Sequence, residues 1–135
     1  MKELIILKES KGITKSKDLF KKIQKINIDF KQENLLVFYL DSKNAVIKSE
    51  VLFKGGLNSS VVCLKTLFRQ ALKYNSNSLI VAHNHPSNDL NPSVEDLEIN
   101  NRIKDAGKII DLNLLDFIIF NKIEYYSVTD KERGL

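Results

Sequence analysis

Tryptophan is absent from this 135-residue chain, cysteine occurs once, proline twice and glycine five times. One thiol cannot form an intramolecular disulfide or a cluster of cysteine ligands. Cys63 falls in the apolar run VVCLKTLF, where a buried, inert thiol is expected. So few prolines and glycines, with no low-complexity tract and no internal repeat, leave no visible linker. No segment approaches the roughly 20 apolar residues of a membrane span. The opening MKELIILKES has too short an apolar run for a secretory signal. The expectation is one soluble, cytoplasmic domain over residues 1–135, long enough to bury a real core.

Arginine is missing from residues 1–54, which carry 12 lysines against 7 acids; residues 55–135 carry 9 basic groups against 10 acidic ones. A lysine-rich first part suits an anionic partner such as nucleic acid. Without arginine it lacks the planar fork that grips phosphate, and a solvated helix face accounts for the same charges.

Patterning suggests alternating elements. ELIILK (3–8) reads as a short strand, and SKDLFKKIQKI (16–26) as a helix capped by Ser16, with Leu19, Phe20, Ile23 and Ile26 on one side. NLLVFYL (34–40) and AVIKSEVLF (45–53) read as strands joined by the turn DSKN. An amphipathic helix is expected over 59–75 from apolar residues at 61, 64, 68, 71 and 72. SLIVA (78–82) is an apolar run of strand length, suggesting cover on both faces. Ile99, Ile103, Ala106 and Ile110 recur at helical spacing, and LLDFIIF with EYYSV suggests a hairpin around residues 121–122. The sum is an α/β domain with helices packed on a mixed sheet.

Both histidines of the chain, His83 and His85, stand in one tripeptide where the apolar run ends. Side chains at i and i+2 of an extended segment point the same way, so the two rings can converge. Pro86 then turns the chain out of the strand. Asp96 follows eleven residues after His85, in the first turn of the next helix. Two imidazoles and one carboxylate make a three-ligand zinc site with an open fourth position, the catalytic pattern; such a zinc lowers the pKa of its water to about 7 and polarises a carbonyl. Ser93 and Asp96 also spell a capping box, which explains their spacing without any metal. The letters His-Asn-His alone do not indicate a nuclease, and a zinc deaminase needs a P-C-x-x-C that one cysteine cannot supply.

The string His83-Asn84-His85, seven residues, Ser93, two residues, Asp96 resembles the JAMM signature of the JAB/MPN metallopeptidases. AHNHPSNDLNPSVEDLEI, VFYLDSKNAVIKSEVLFKGGLNSS and the closing YSVTDKERGL resemble the RadC branch of that family, over roughly residues 14–135. The resemblance implies a single JAB/MPN-like domain with a mixed, mostly antiparallel sheet flanked by helices. It implies His83, His85 and Asp96 as zinc ligands, Glu50 as general base on the metal-bound water, and Ser93 as a donor to that water or the oxyanion. Residues alone leave Glu50 open, because its strand has apolar residues in both registers and Glu33, Glu95 and Glu98 are further carboxylates. The chain departs from the branch at Asn88, where glycine is usual, at Leu64-Lys65, where a Pro-Arg pair is common, and at Phe117, where the family has histidine. The helix-hairpin-helix DNA-binding region of longer RadC proteins is not expected within these residues. The reading is a zinc peptidase acting on a peptide or protein laid along a strand edge. A non-catalytic binding module and a DNA-associated protein of the RadC type are the alternatives.

Overall fold

The computed structural model describes residues 15–58 and 60–134, together with the backbone of residues 2–5. In chain order the elements are β1 (Lys2–Ile5), α1 (Ser16–Ile23), β2 (Asn34–Leu40), β3 (Val46–Lys54), α2 (Leu64–Lys73), β4 (Ser78–Asn84), α3 (Val94–Ile109), β5 (Asn113–Phe120), β6 (Tyr125–Ser127) and α4 (Val128–Glu132). The sheet runs β1-β3-β2-β4-β5-β6, antiparallel throughout except for the parallel pair β4–β5, which α3 connects. It is the mixed, mostly antiparallel sheet that the resemblance implies.

β2 and β4 lie at the centre, and every residue of both is buried. Their alternate side chains serve two cores. Leu35, Val37, Tyr39, Leu79 and Val81 meet Leu67, Phe68 and Ala71 of α2 and Ile99 and Ile103 of α3. Leu36, Phe38, Leu40, Ile80 and Ala82 meet Leu19, Phe20 and Ile23 of α1. Burial on both faces is why these strands read as unbroken apolar runs, each large side chain contributing about 1.5–3 kcal/mol.

β3 does not alternate, and the cause is irregular pairing. Register shifts against β2 fall between Leu35 and Leu36 and between Tyr39 and Leu40. An extra residue in one strand changes which face its successors reach. Val46 and Val51, an odd number apart, therefore share the α1-side core, while Leu52 enters the other.

Several expectations from the sequence need correction. Ser16 does not cap α1: the N-cap is Lys15, without a side-chain cap. The Ser16 hydroxyl instead donates to buried Asp116 on β5 at 2.6 Å, beside Ser127 Oγ, which donates to the same carboxylate at 2.8 Å. A carboxylate at that depth takes the hydroxyl before the helix can. The second helix starts at Leu64 rather than 59, because Asn58 Oδ1 accepts from the Ser60 and Val61 N–H groups and holds that segment as a turn. Val61, Leu72 and Ile110 are exposed, and so is Cys63, against the expectation of burial. At the N-cap of α2, hydrogen bonds from Thr66 hold the Cys63 thiol below its ordinary pKa. The first strand ends at Ile5, and the rest of its expected range lies outside the described residues. Among the described residues, no helix is long and apolar enough to cross a membrane.

Candidate metal centre

The motif begins inside β4, which extends two residues beyond the apolar run and ends at Asn84. His83 pairs with Leu35 of β2 and Ile119 of β5, so its backbone is held on both sides. His85 lies past the strand end, where Asn88 closes a turn: its N–H donates to the His85 carbonyl at 2.9 Å, and its φ is 66°. Asparagine enters that left-handed region more readily than most residues, which fits it to the usual glycine position.

Asp96 arrives from the other side, in the first turn of α3. The capping box is formed in full: Ser93 Oγ accepts from the Asp96 N–H at 3.0 Å, and Asp96 Oδ2 accepts from the Ser93 N–H at 2.8 Å. The cap therefore fixes the rotamer of the carboxylate that meets the histidines. His83 Nδ1 lies 2.8 Å from Asp96 Oδ1, and His85 Nε2 lies 2.9 Å from Asp96 Oδ2. One ligand atom from each of the three residues falls within 4.8 Å of the others.

Burial by itself would raise the Asp96 pKa, but the hydrogen bonds from His83, His85 and the Ser93 N–H outweigh it and hold the carboxyl well below its usual range. The hydrogen bond to Asp96 raises the His85 pKa against the opposing effect of burial, and the Asp89 carbonyl, 2.7 Å from His85 Nδ1, adds to the rise. A doubly protonated ring donates to both partners at once.

These shifts set the behaviour of metal-free protein. Asp96, with its folded pKa depressed, contributes stability that is present above the ordinary carboxyl pKa and is lost as pH falls through the folded value. His85, with its pKa raised, contributes stability that is present below the ordinary imidazole pKa and is lost as pH rises through the folded value. Both contributions coexist between about pH 4 and about pH 6.5. Chelator-treated protein is expected to melt highest in that window. Added zinc shifts the maximum upward, since ligation needs deprotonated rings. Melting curves from pH 4 to pH 8, with chelator and with zinc, test this; a chelated protein that gains stability steadily up to pH 8 contradicts it.

Glu50 is not brought to the histidines. It pairs with Val37, which pairs in turn with Val81, so two strand spacings, about 10 Å, separate it from β4. It is 2 % exposed, accepting from Tyr39 Oη at 2.8 Å and Gln70 Nε2 at 3.0 Å. The carboxylate that does approach is Glu33, immediately before β2. Its Oε1 lies 3.7 Å from His83 Nε2, and its Oε2 accepts from the Leu57 N–H. Its side chain is 27 % exposed against 2 % for His83, so it stands at the mouth of the site. In the sequence it was one carboxylate among several, and its only local signal was its position at a strand start.

Phe117 is fully buried in the core on the α2/α3 side, opposite Val81 of β4. The position that carries histidine in the RadC branch is here part of the hydrophobic packing.

Residues 13–135 match the family described as RadC-like JAB domain. A UPF0758 protein of Clostridium tetani is 44% identical over 92% of the chain and 54% of its own length. One from Clostridium beijerinckii is 45% identical over 91% of the chain and 53% of its own length, and one from Staphylococcus haemolyticus is 44% identical over 76% and 45%. The chain thus spans about half the length of these curated relatives.

Proposed function

We propose, since the chain belongs to the RadC-like JAB domain family, that it is a zinc-dependent metallopeptidase hydrolysing a peptide or isopeptide bond, with Glu33 rather than Glu50 as its general base. The carrying observation is His83 Nε2, a buried ring nitrogen with no hydrogen-bond partner, in a cluster that also offers His85 and Asp96. An unpartnered polar atom at that depth is costly in a folded protein, and a cation is the partner that fits it. Two imidazoles and a carboxylate suit zinc.

His83, His85 and Asp96 would hold the ion. The Asp89 carbonyl, accepting from His85 Nδ1–H, fixes the tautomer that leaves Nε2 free to ligate. A zinc ion held by these residues would supply Lewis acidity and would make a water molecule more acidic. Glu33 Oε1 takes the proton of the attacking water as the oxygen–carbon bond forms, and returns it to the leaving nitrogen as the carbon–nitrogen bond breaks. The Leu57 N–H orients this carboxylate through its other oxygen. Ser93 Oγ already accepts from the Asp96 N–H, so its own proton is available to the developing oxyanion.

A cleft of about 380 Å³ opens beside the loop carrying His85, lined by Phe30, Lys31, Pro86, Asn88, Lys122 and Ile123 among others. We place the reaction in the cytoplasm, which suits an exposed, unpaired thiol.

Metal analysis and turnover test this reading together. Purified protein is expected to carry one zinc, to hydrolyse members of a peptide library and to stop on chelation, whereas His83→Ala binds no zinc and turns nothing over. Full zinc content in His83→Ala removes the site.

A second reading draws on Lys17, Lys21 and Lys25, which are exposed at four-residue spacing along α1 and just after it. They form a basic row on the α1 side of the sheet, opposite His83, and suit a DNA backbone. Its test is a DNA affinity that falls with salt; no binding at low salt disposes of it.

A further inference from the structure

The residue between the two histidines points into a different network. Asn84 is fully buried, and its Oδ1 accepts from the Asn34 backbone N–H at 2.8 Å and from Asn34 Nδ2 at 3.1 Å. Its Nδ2 donates to the Gln32 carbonyl at 3.0 Å. Backbone pairing between β2 and β4 ends at Leu35 and His83, so the Asn84 amide extends the join beyond the ladder. Asn34 Nδ2 continues the network to the carbonyls of Asp29 and Gln32. The segment from Asp29 to Asn34 is thereby tied to the middle of the ligand tripeptide, and Glu33 lies inside it.

We propose that Asn84 is a positioning residue that holds the Glu33 carboxylate against the metal centre. The proposal deepens the reading of Glu33 as general base and rests on it. On its other side Glu33 is supported through the Gly55 N–H, donating to its carbonyl at 3.0 Å, and through the Leu57 N–H on its carboxylate. Those donors come from a compliant stretch. Gly55 has φ +85°, and neither Gly55 nor Gly56 has any neighbouring atom within 4 Å of where a β-carbon would sit. The stiff support is the buried amide on β4. The tripeptide thus divides its work: the histidines provide ligand atoms, and the residue between them sets the distance from the ligands to the base.

The test is amide hydrogen exchange on the zinc-loaded full chain, comparing wild type with Asn84→Ala and Asn84→Asp. The reporter is the Leu57 amide, whose hydrogen bond goes to Glu33 and not to Asn84. It is expected to exchange about 10-fold faster in Asn84→Ala, a local opening, while the Val37 and Val81 amides keep global protection. Asn84→Asp keeps an acceptor for the Asn34 N–H and falls between. Both variants retain zinc, and turnover in Asn84→Ala drops about 10–100-fold, the usual cost of removing an outer support. Adding Asn84→Ala to Glu33→Gln costs nothing more. Wild-type protection at Leu57 in Asn84→Ala overturns the proposal, and so does loss of Val37 and Val81 protection in both variants, which would make Asn84 a general fold element. Should wild type turn over no peptide, the reading of Glu33 as base falls, while the exchange rates still decide whether Asn84 sets its place.

Discussion

Glu33→Gln is expected to lower peptide turnover about 10²–10⁴-fold, the range a general base contributes, while zinc content and melting temperature stay near wild type. Glutamine keeps an oxygen for the Leu57 N–H that Glu33 now accepts, so the side chain stays in place and only the basic site is lost. His83, His85 and Asp96 are untouched, so the metal stays. Glu50→Gln is the matched comparison. Glu50 accepts from Tyr39 Oη and Gln70 Nε2 in the buried face of the sheet. Burial first, and then the Glu50 carboxylate itself, push the Tyr39 phenol well above its ordinary pKa, so it remains a donor at any working pH. A glutamine oxygen accepts from Tyr39 equally well, and the change is expected to cost at most about 1–3 kcal/mol of stability with turnover within a few-fold of wild type. Steady-state rates, zinc analysis and melting on the two variants decide the matter. Turnover lost in Glu50→Gln and kept in Glu33→Gln would return the general base to β3.

Asp96→Ala is expected to remove zinc altogether and to cause the largest single loss of stability at the site. The carboxylate is 1 % exposed and accepts from His83, His85 and the Ser93 N–H. Its removal leaves those groups unpartnered and takes away half of the capping box that starts α3. Breaking a buried charged network costs about 3–5 kcal/mol, a fall in melting temperature on the order of 10 °C for a domain of this size. Asp96→Asn separates the two effects: an amide oxygen can still accept from Ser93, so much of the helix start survives while the charge that binds the cation is gone. Zinc analysis with thermal melts in chelator shows both. A zinc-replete Asp96→Ala protein would remove Asp96 from the ligand set.

The approach of Glu33, and not Glu50, to His83 shows where local pattern stops carrying information. The convergence of His83, His85 and Asp96 is legible in the sequence because a strand's two-residue period and a capped helix start are local facts, and both survive in His83, His85, Ser93 and Asp96. The facing of Glu50 was not legible, since register shifts between β2 and β3 break the alternation around it and no bulge is marked by a single residue type. Ser16 reads as an N-cap for the same reason that Cys63 reads as buried. Each was judged against its chain neighbours, while Asp116, a hundred residues away, claimed the Ser16 hydroxyl, and the turn at Asn58 left the thiol in solvent.

By itself, then, the amino-acid order determined the cluster of His83, His85 and Asp96 that could hold a metal ion, the capped helix that delivers Asp96, and a central pair of strands covered on both faces. These follow from short-range periodicity and from the chemistry of two histidines that have no other company in the chain. The choice of carboxylate at the mouth of the site was decided only in three dimensions. Glu33 and His83 are fifty residues apart, and they meet because β2 and β4 pair antiparallel with Leu35 opposite His83. That register depends on burying two complete cores at once, a property of the assembled sheet and of no segment within it.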